Sequence, residues 1–430
     1  MISNEFLIKY NNSIKTVAQN ISEHCVDPLT NFTRRRKLMS DTVLKFVIQL
    51  QAKSMNSELC DYFLDFDKMP TNSAMIQQRD KIKHSAFKEV NKVFVNSLST
   101  FKKYKDYYLL ATDGSDINIS FDPNDKDTFR ENGKNKPYSQ FHLNAIYDCL
   151  NNIYWDFSID TATKKRECDA LKEMAMDNNY PQKSIFILDR GYEKYELIVW
   201  FIENSQKFLI RVKDITSSNS ILSNLSNIEE AEFDIDIEKK LTKKQTKETK
   251  NGEYTILPSN STIDCFNEDG VYNLNLRVIR FKLTDNTYEC LVTNLDRNEF
   301  SFEDLKSCYA TRWRIENSYR QLKYAVSMIY FHSKKRNLIK QEIAASIILF
   351  NLTYLIADSV DIQQPKNNKY VYKPCFTTAV TNVRMWLRSY ITEEELIKRI
   401  QNYLVPIRPD RSYRRDVKPQ SVRDFNHRAA

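Results

Sequence analysis

Two short apolar runs, each stopped by an aspartate, constrain this chain most. Tyr107-Tyr108-Leu109-Leu110-Ala111-Thr112 leads into Asp113-Gly114-Ser115, and Ser184-Ile185-Phe186-Ile187-Leu188 leads into Asp189-Arg190-Gly191-Tyr192. Uninterrupted β-prone runs of this length, bounded by turn residues, read as strands covered on both faces. Such strands belong to an α/β fold, and an acid at the end of one lies at the sheet rim, where open α/β sheets place their sites. The chain has only five glycines in 430 residues. Two follow these aspartates, so each is expected to mark a backbone conformation that other residues avoid.

Between the two runs, Gln140–Asp148 and Asn152–Ile159 read as further strands joined by a hairpin turn near Leu150-Asn151-Asn152. A helix is expected from about Thr163 to Asn178. Asp116 falls past Gly114 in what reads as a polar turn, and Asp148 reads as a strand end; neither is taken as a site residue.

A third acid stands in a different setting. The stretch Y-A-T-R-W-R-I-E-N-S-Y-R-Q-L-K, Tyr309 to Lys323, reads as one helix. At 100° per residue, Tyr309, Arg312, Glu316 and Lys323 fall within roughly 60° of one another. Ile315, Tyr319, Leu322 and Val326 form an apolar stripe beside them. One edge can pack while the next presents a carboxylate flanked by two cations and a phenol. Carboxylates suit divalent metals, and Arg, Lys and Tyr suit phosphates. The pattern points to metal-dependent chemistry on a nucleic-acid backbone.

Composition is that of a globular protein, 41% hydrophobic and 28% charged, and the net charge of +8 favours a polyanionic partner. No apolar run reads as membrane-spanning, and the N-terminus lacks the basic start and apolar middle of a signal peptide. The eight cysteines form no C-x-x-C pair and the five histidines are dispersed. Reduced thiols are therefore expected, and a structural zinc site is not.

The spacing Tyr309-x2-Arg312-x3-Glu316-x6-Lys323 resembles the Y-R-E-K signature of bacterial transposases of the insertion-sequence-four type, within the DDE transposases. Asp113 in A-T-D-G-S resembles the first catalytic aspartate, Asp189 in L-D-R-G-Y the second, and Glu316 in R-W-R-I-E the third carboxylate. Thr293-Asn294-Leu295 followed by Leu305 and Tyr309 resembles the run-in to the last helix. The resemblance implies a ribonuclease-H-like mixed-sheet core holding two Mg²⁺ or Mn²⁺ ions on Asp113, Asp189 and Glu316. Tyr309, Arg312 and Lys323 would then contact DNA phosphates. It implies a Mg-dependent nuclease and strand transferase that acts on double-stranded DNA, namely transposon inverted repeats and target DNA, as a homodimer on paired ends, in a bacterial cytoplasm at the nucleoid. Two alternatives stay open: a ribonuclease-H-like nuclease without strand transfer, and an inactive DNA-binding relative. Some family members stack a tryptophan of a β insertion on a flipped base. Here no tryptophan falls in that segment, and Tyr254, Phe266 or Tyr272 would have to substitute.

The expected fold is α/β in five parts. Residues 1–100 form a helical DNA-binding domain, 101–205 and 296–360 the two parts of the core, 206–295 a β-rich insertion, and 361–430 a helical, basic C-terminal region. In the first part, basic helices broken by polar turns fit a DNA reader, with Arg34, Arg35, Arg36, Gln78 and Arg79 as candidate end-binding residues. Ile228–Gly252 reads as a polar excursion or flexible hairpin. Gln341–Leu355 reads as a core helix. The apolar pattern of Ala379–Ile400 is a candidate for pairing two copies, and the basic tail from Lys398 for lying along phosphates.

Overall fold

The structure, a computed structural model, describes the chain apart from residues 1, 35–36, 134, 165, 226, 248, 251, 285–286, 365–368, 409–425 and 428–430. Five helices come first: α1 (Ile2–Gln19), α2 (Ser40–Ile48), α3 (Met55–Tyr62), α4 (Asn72–Asp80) and α5 (Ser85–Asn96). Side chains that satisfy first-turn N–H groups start two of them, Ser54 accepting from the Ser57 amide and Thr71 from the Ala74 amide. α2 buries Val43, Phe46 and Val47, and Leu50 just beyond it is buried too.

A single sheet of ten strands follows. It is built from β1 (Tyr108–Ile119), β2 (Phe129–Asn132), β3 (Asn135–Asp148), β4 (Ile153–Thr161), β5 (Ser184–Leu188), β6 (Lys207–Val212), β7 (Phe233–Thr242), β8 (Tyr254–Ile256), β9 (Val271–Thr284) and β10 (Thr287–Thr293). The order is β2-β3-β1-β5-β6-β10-β9-β7-β8, with β4 also paired to β3. β1, β5 and β6 run parallel, while β3 is antiparallel to β1. Helices α6 (Glu167–Met176) and α7 (Tyr195–Glu203) are the crossovers that parallel neighbours require. Every residue of β5 is buried, as its unbroken apolar run predicts. This mixed sheet between helices is the ribonuclease-H-like core expected from the sequence.

Three elements differ from the sequence reading. β1 does not stop at Asp113-Gly114-Ser115. It runs on to Ile119, because β3 pairs with it without a break from Leu110↔Asp148 to Ile119↔Ser139. Asp116 is therefore a strand residue. The stretch from Tyr309 to Lys323 is two helices, α8 (Phe302–Ala310) and α9 (Trp313–Tyr324). The amides of Thr311, Arg312, Arg314 and Ile315 each bond three residues back, a tight step that offsets the second helix from the first. The charged stretch from Ile228 contains β7, whose Phe233, Ile235 and Ile237 alternate with Asp234, Asp236 and Glu238. Arg277 on β9 grips Asp234 with two bonds of 2.8 and 2.7 Å, which lets so acidic a strand join the sheet.

The last three helices are α10 (Arg336–Ser359), α11 (Phe376–Leu387) and α12 (Glu393–Asn402). α10 is long and apolar enough to cross a membrane, but 78% of its most apolar stretch is buried inside the protein. It packs against α1, α2, α5 and β4. Asn351 of α10 donates to Asn91 of α5 and to the Tyr154 carbonyl of β4, and accepts from the Tyr154 amide. Ala379, Val380, Val383, Leu396 and Ile400 are buried within the chain, so the apolar pattern of α11 and α12 is spent on folding one copy.

Candidate active site

The parallel pairing of β1 with β5 sets the two aspartates side by side. Ala111 pairs with Ile187, and two residues further along each chain stand Asp113 and Asp189. Asp189 follows the last residue of β5 and caps the turn Arg190–Tyr192, its Oδ1 accepting from the Gly191 amide at 2.7 Å. Asp113 Oδ1 accepts from the Gly114 amide at 2.9 Å. α9 is fastened across β1 by its own side chains. The Tyr319 hydroxyl donates to the Asp113 carbonyl at 2.7 Å, and Lys323 Nζ donates to the Asp116 carbonyl at 2.9 Å. Tyr154 of β4 and Ser318 share a hydroxyl–hydroxyl bond of 2.6 Å. These bonds fix α9 against β1, and the charge of Glu316, one turn before Tyr319, acts on Asp113.

The charges at this point act on one another. Burial pushes the Asp113 carboxyl up to about 6; the Gly114 amide and Arg312 pull it down, while Asp189 and Glu316 push it further up. Arg312 is buried, which works against its charge, but Tyr309, Glu316 and Asp189 more than offset this. Its Nη2 donates to Glu316 Oε1 at 2.8 Å. Tyr309 is 2% exposed, its phenol pushed up to about 12 by burial. Among the described residues neither the Tyr309 hydroxyl nor Arg312 Nε has a hydrogen-bond partner. Both are donors that a phosphate oxygen would satisfy. Burial lowers the Lys323 ammonium, against the pull of Asp116.

The buried Asp113 carboxyl, raised further by the charges of Asp189 and Glu316, and the buried donors beside it fit a divalent cation taking hard oxygen ligands. Among the described residues no three His, Cys, Asp or Glu side chains are already grouped to hold a metal as they stand, and Glu316 is held by Arg312.

Over residues 104–352, well over half of the chain, the sequence matches the family described as transposase DDE domain. The chain belongs to that family. It is a transposase by descent, and the family implies nuclease and strand-transferase chemistry. A solved structure, a piggyBac transposase synaptic complex with hairpin DNA, aligns with 95% of this chain and 87% of its own at 12% identity and a TM-score of 0.46. No curated protein matches the transposase in sequence.

The other sequence candidates divide. Arg34 and Gln78 line one surface depression together with Lys81. Arg35 and Arg36 lie outside the described residues. Arg79 is corrected: it is fully buried, pairs with Glu342 at 2.9 Å and bonds the Leu338 carbonyl, so it cannot read DNA. Tyr254 and Tyr272 stand on β8 and β9. β9 is four strands from β1 in the sheet, about 19 Å at normal strand spacing. Trp313 is 45% exposed, its ring centre 4.8 Å from the Arg312 guanidinium.

Sequence reasoning missed Glu167 and His142. His142 Nδ1 lies 2.7 Å from Asp116 Oδ1, and its Nε2 lies 3.3 Å from Glu167 Oε1. The available signal was Gly114. A Cβ there would sit 2.3 Å from His142 Nε2 and 2.9 Å from Glu167 Oε1, so glycine is needed for close approach rather than for an unusual dihedral.

Proposed function

We propose that this transposase is of the insertion-sequence-four type. It binds the terminal inverted repeats of its own element, cleaves there, and joins the freed 3′-hydroxyls to target DNA. The observation that supports this most is the meeting of Asp113, Asp189 and Glu316 in one electrostatic neighbourhood, from β1, the end of β5 and α9. Their oxygens would hold two Mg²⁺ or Mn²⁺ ions, which when bound supply activation of the attacking oxygen and stabilisation of the departing one. The chain's own residues position the DNA. Arg312 offers a planar donor fork to a phosphate, Tyr309 a buried hydroxyl, and Lys323 a point charge one turn beyond Tyr319. A phosphate drawn to Arg312 also competes for the guanidinium that holds Glu316. Arg34 and Gln78 would meet the DNA end at a distance from the acids. Two ends call for two copies, which would pair on the DNA through surfaces other than the buried apolar residues of α11 and α12.

The test is cleavage and joining of oligonucleotides carrying the inverted repeats that flank the gene. Asp113→Asn, Asp189→Asn and Glu316→Gln should each lower metal-dependent cleavage by at least about 10³-fold and leave end binding intact. Cleavage that survives all three substitutions contradicts the assignment. Cleavage without joining would make the protein a nuclease of the same fold instead.

A further inference from the structure

The fold brings a fourth acid to the three. Glu167 is the first residue of α6, which packs over β1, β3 and β4. Its carboxylate lies along the backbone of both aspartate segments. A Cβ on Gly114, next to Asp113, would be 2.9 Å from Glu167 Oε1. A Cβ on Gly191, in the turn capped by Asp189, would be 3.9 Å from Glu167 Oε2 and 3.0 Å from Asp189 Oδ1. One oxygen is thus near the first aspartate's strand and the other near the second aspartate's turn. Two of the chain's five glycines stand at the two points of approach.

His142 fixes this placement. It stands on β3 opposite Asp116 of β1 and is 1% exposed. Asp116 holds one ring nitrogen, so the other faces Glu167 Oε1. A histidine oriented by one carboxylate and turned toward another restricts how the second can rotate.

A separate observation points to a ligand between these acids. Tyr192 is 1% exposed, and among the described residues its hydroxyl has no hydrogen-bond partner. Burial does most to raise that hydroxyl, and the charges of Glu167, then Asp113, then Asp189, with Cys168 last, raise it further. A buried phenol set among three carboxylates that donates to none of them is suited to an oxygen carried in with a ligand.

We propose that Glu167 is a fourth carboxylate of the cation centre, held in place by His142 as a positioning residue, and that it takes up a divalent cation together with Asp113 and Asp189. The proposal rests on the reading of this site as a metal-dependent DNA-cleaving centre. An acid in the first turn of a helix can also serve only to complement the helix terminus. Binding measurements separate the two roles.

The experiment is calorimetric titration of the full-length protein with Mn²⁺ alone, with thermal unfolding recorded for each variant. Glu167→Gln should weaken Mn²⁺ binding by roughly 10- to 100-fold. Glu167→Asp keeps the charge at the helix start but withdraws the oxygens, and should weaken it too. His142→Gln should weaken it less, and His142→Gln combined with Glu167→Gln no more than Glu167→Gln alone, because the histidine acts through the glutamate. Wild-type binding in Glu167→Gln, alongside lost binding in Asp113→Asn, overturns the proposal and leaves the metal-centre reading standing. If the wild-type protein takes up no Mn²⁺, both fall together. If Glu167→Gln fails to fold, Glu167→Asp and His142→Gln decide, and unchanged binding in both overturns the proposal.

Discussion

Asp148 shows what burial alone does to a carboxylate in this fold. It closes β3, is fully buried, and accepts from the Leu150 and Asn151 amides and the Asn151 side chain. Burial pushes its carboxyl up to about 6 from 3.8, with those hydrogen bonds offsetting part of the rise. Between about pH 4 and 6 the folded chain keeps a proton that the unfolded chain has lost. The stability from this residue is therefore full below pH 4 and is lost as pH rises through 6, by at most about 3 kcal/mol. Asp148→Asn should flatten that slope in urea unfolding compared at pH 4.5 and 7; an unchanged slope would place the pH dependence elsewhere. Arg79 makes the opposite case, a buried cation with its partner. Arg79→Ala leaves Glu342 buried without that guanidinium and should cost about 3–5 kcal/mol, while Arg79→Met combined with Glu342→Leu should cost much less. DNA affinity per folded molecule should not change in either. The sequence could not reveal this role, because Glu342 lies 263 residues away and a basic helix face looks the same whether wet or buried. Asp113, Asp189 and Glu316 could be proposed from the sequence because each carries its own local context, an apolar run or a helical spacing. Glu167 and His142 were not. Lys-Arg-Glu before a helix reads as an ordinary charged start, and only the packing of α6 on β1 and β3 joins the pair to the site.

At the scale of elements, the least expected feature is that β1 continues through Asp113-Gly114-Ser115. An Asp-Gly pair is strong turn chemistry. Here ten residues of register with β3 override it, and the glycine gives room instead of curvature. Gly114→Ala should therefore force His142 aside, which Asp116 resists. A loss of about 1–3 kcal/mol is expected in thermal or urea unfolding, accompanied by weaker Mn²⁺ uptake. A variant as stable as wild type would show that the close approach is loose. The step between α8 and α9 was hidden because neither glycine nor proline marks it; only three-residue-back hydrogen bonds do. β7 was hidden by its own acids. Once Arg277 pairs with Asp234 and donates to the Phe300 carbonyl at 2.6 Å, the alternation of Phe233, Ile235 and Ile237 becomes a strand pattern. By contrast, β5 was read to the residue, since an unbroken run of buried side chains has few other places to go.

At the scale of the molecule, α10 joins the parts. It packs against α1, α2, α5 and β4, and buried hydrogen bonds join Asn91 of α5, Asn351 of α10 and the Tyr154 backbone of β4. The N-terminal helices are thus part of the wall around the catalytic sheet. Removing residues 1–100 should expose the apolar side of α10 and leave a fragment without a cooperative thermal transition; a fragment that melts sharply near the full-length temperature would refute that coupling. The broad α/β architecture was legible from strand and helix periodicity. The use of α11 and α12 inside one copy was not, because an apolar helix face does not say whether its partner lies in the same chain. The proposed chemistry depends on Asp113, Asp189 and Glu316 sharing a cation. Anomalous diffraction from crystals grown with Mn²⁺ and a DNA end tests that most directly. A peak is expected within about 2.0–2.6 Å of oxygens of Asp113, Asp189 and Glu316, absent in Asp113→Asn. Manganese found only elsewhere on the protein, or a peak untouched by that substitution, would contradict it.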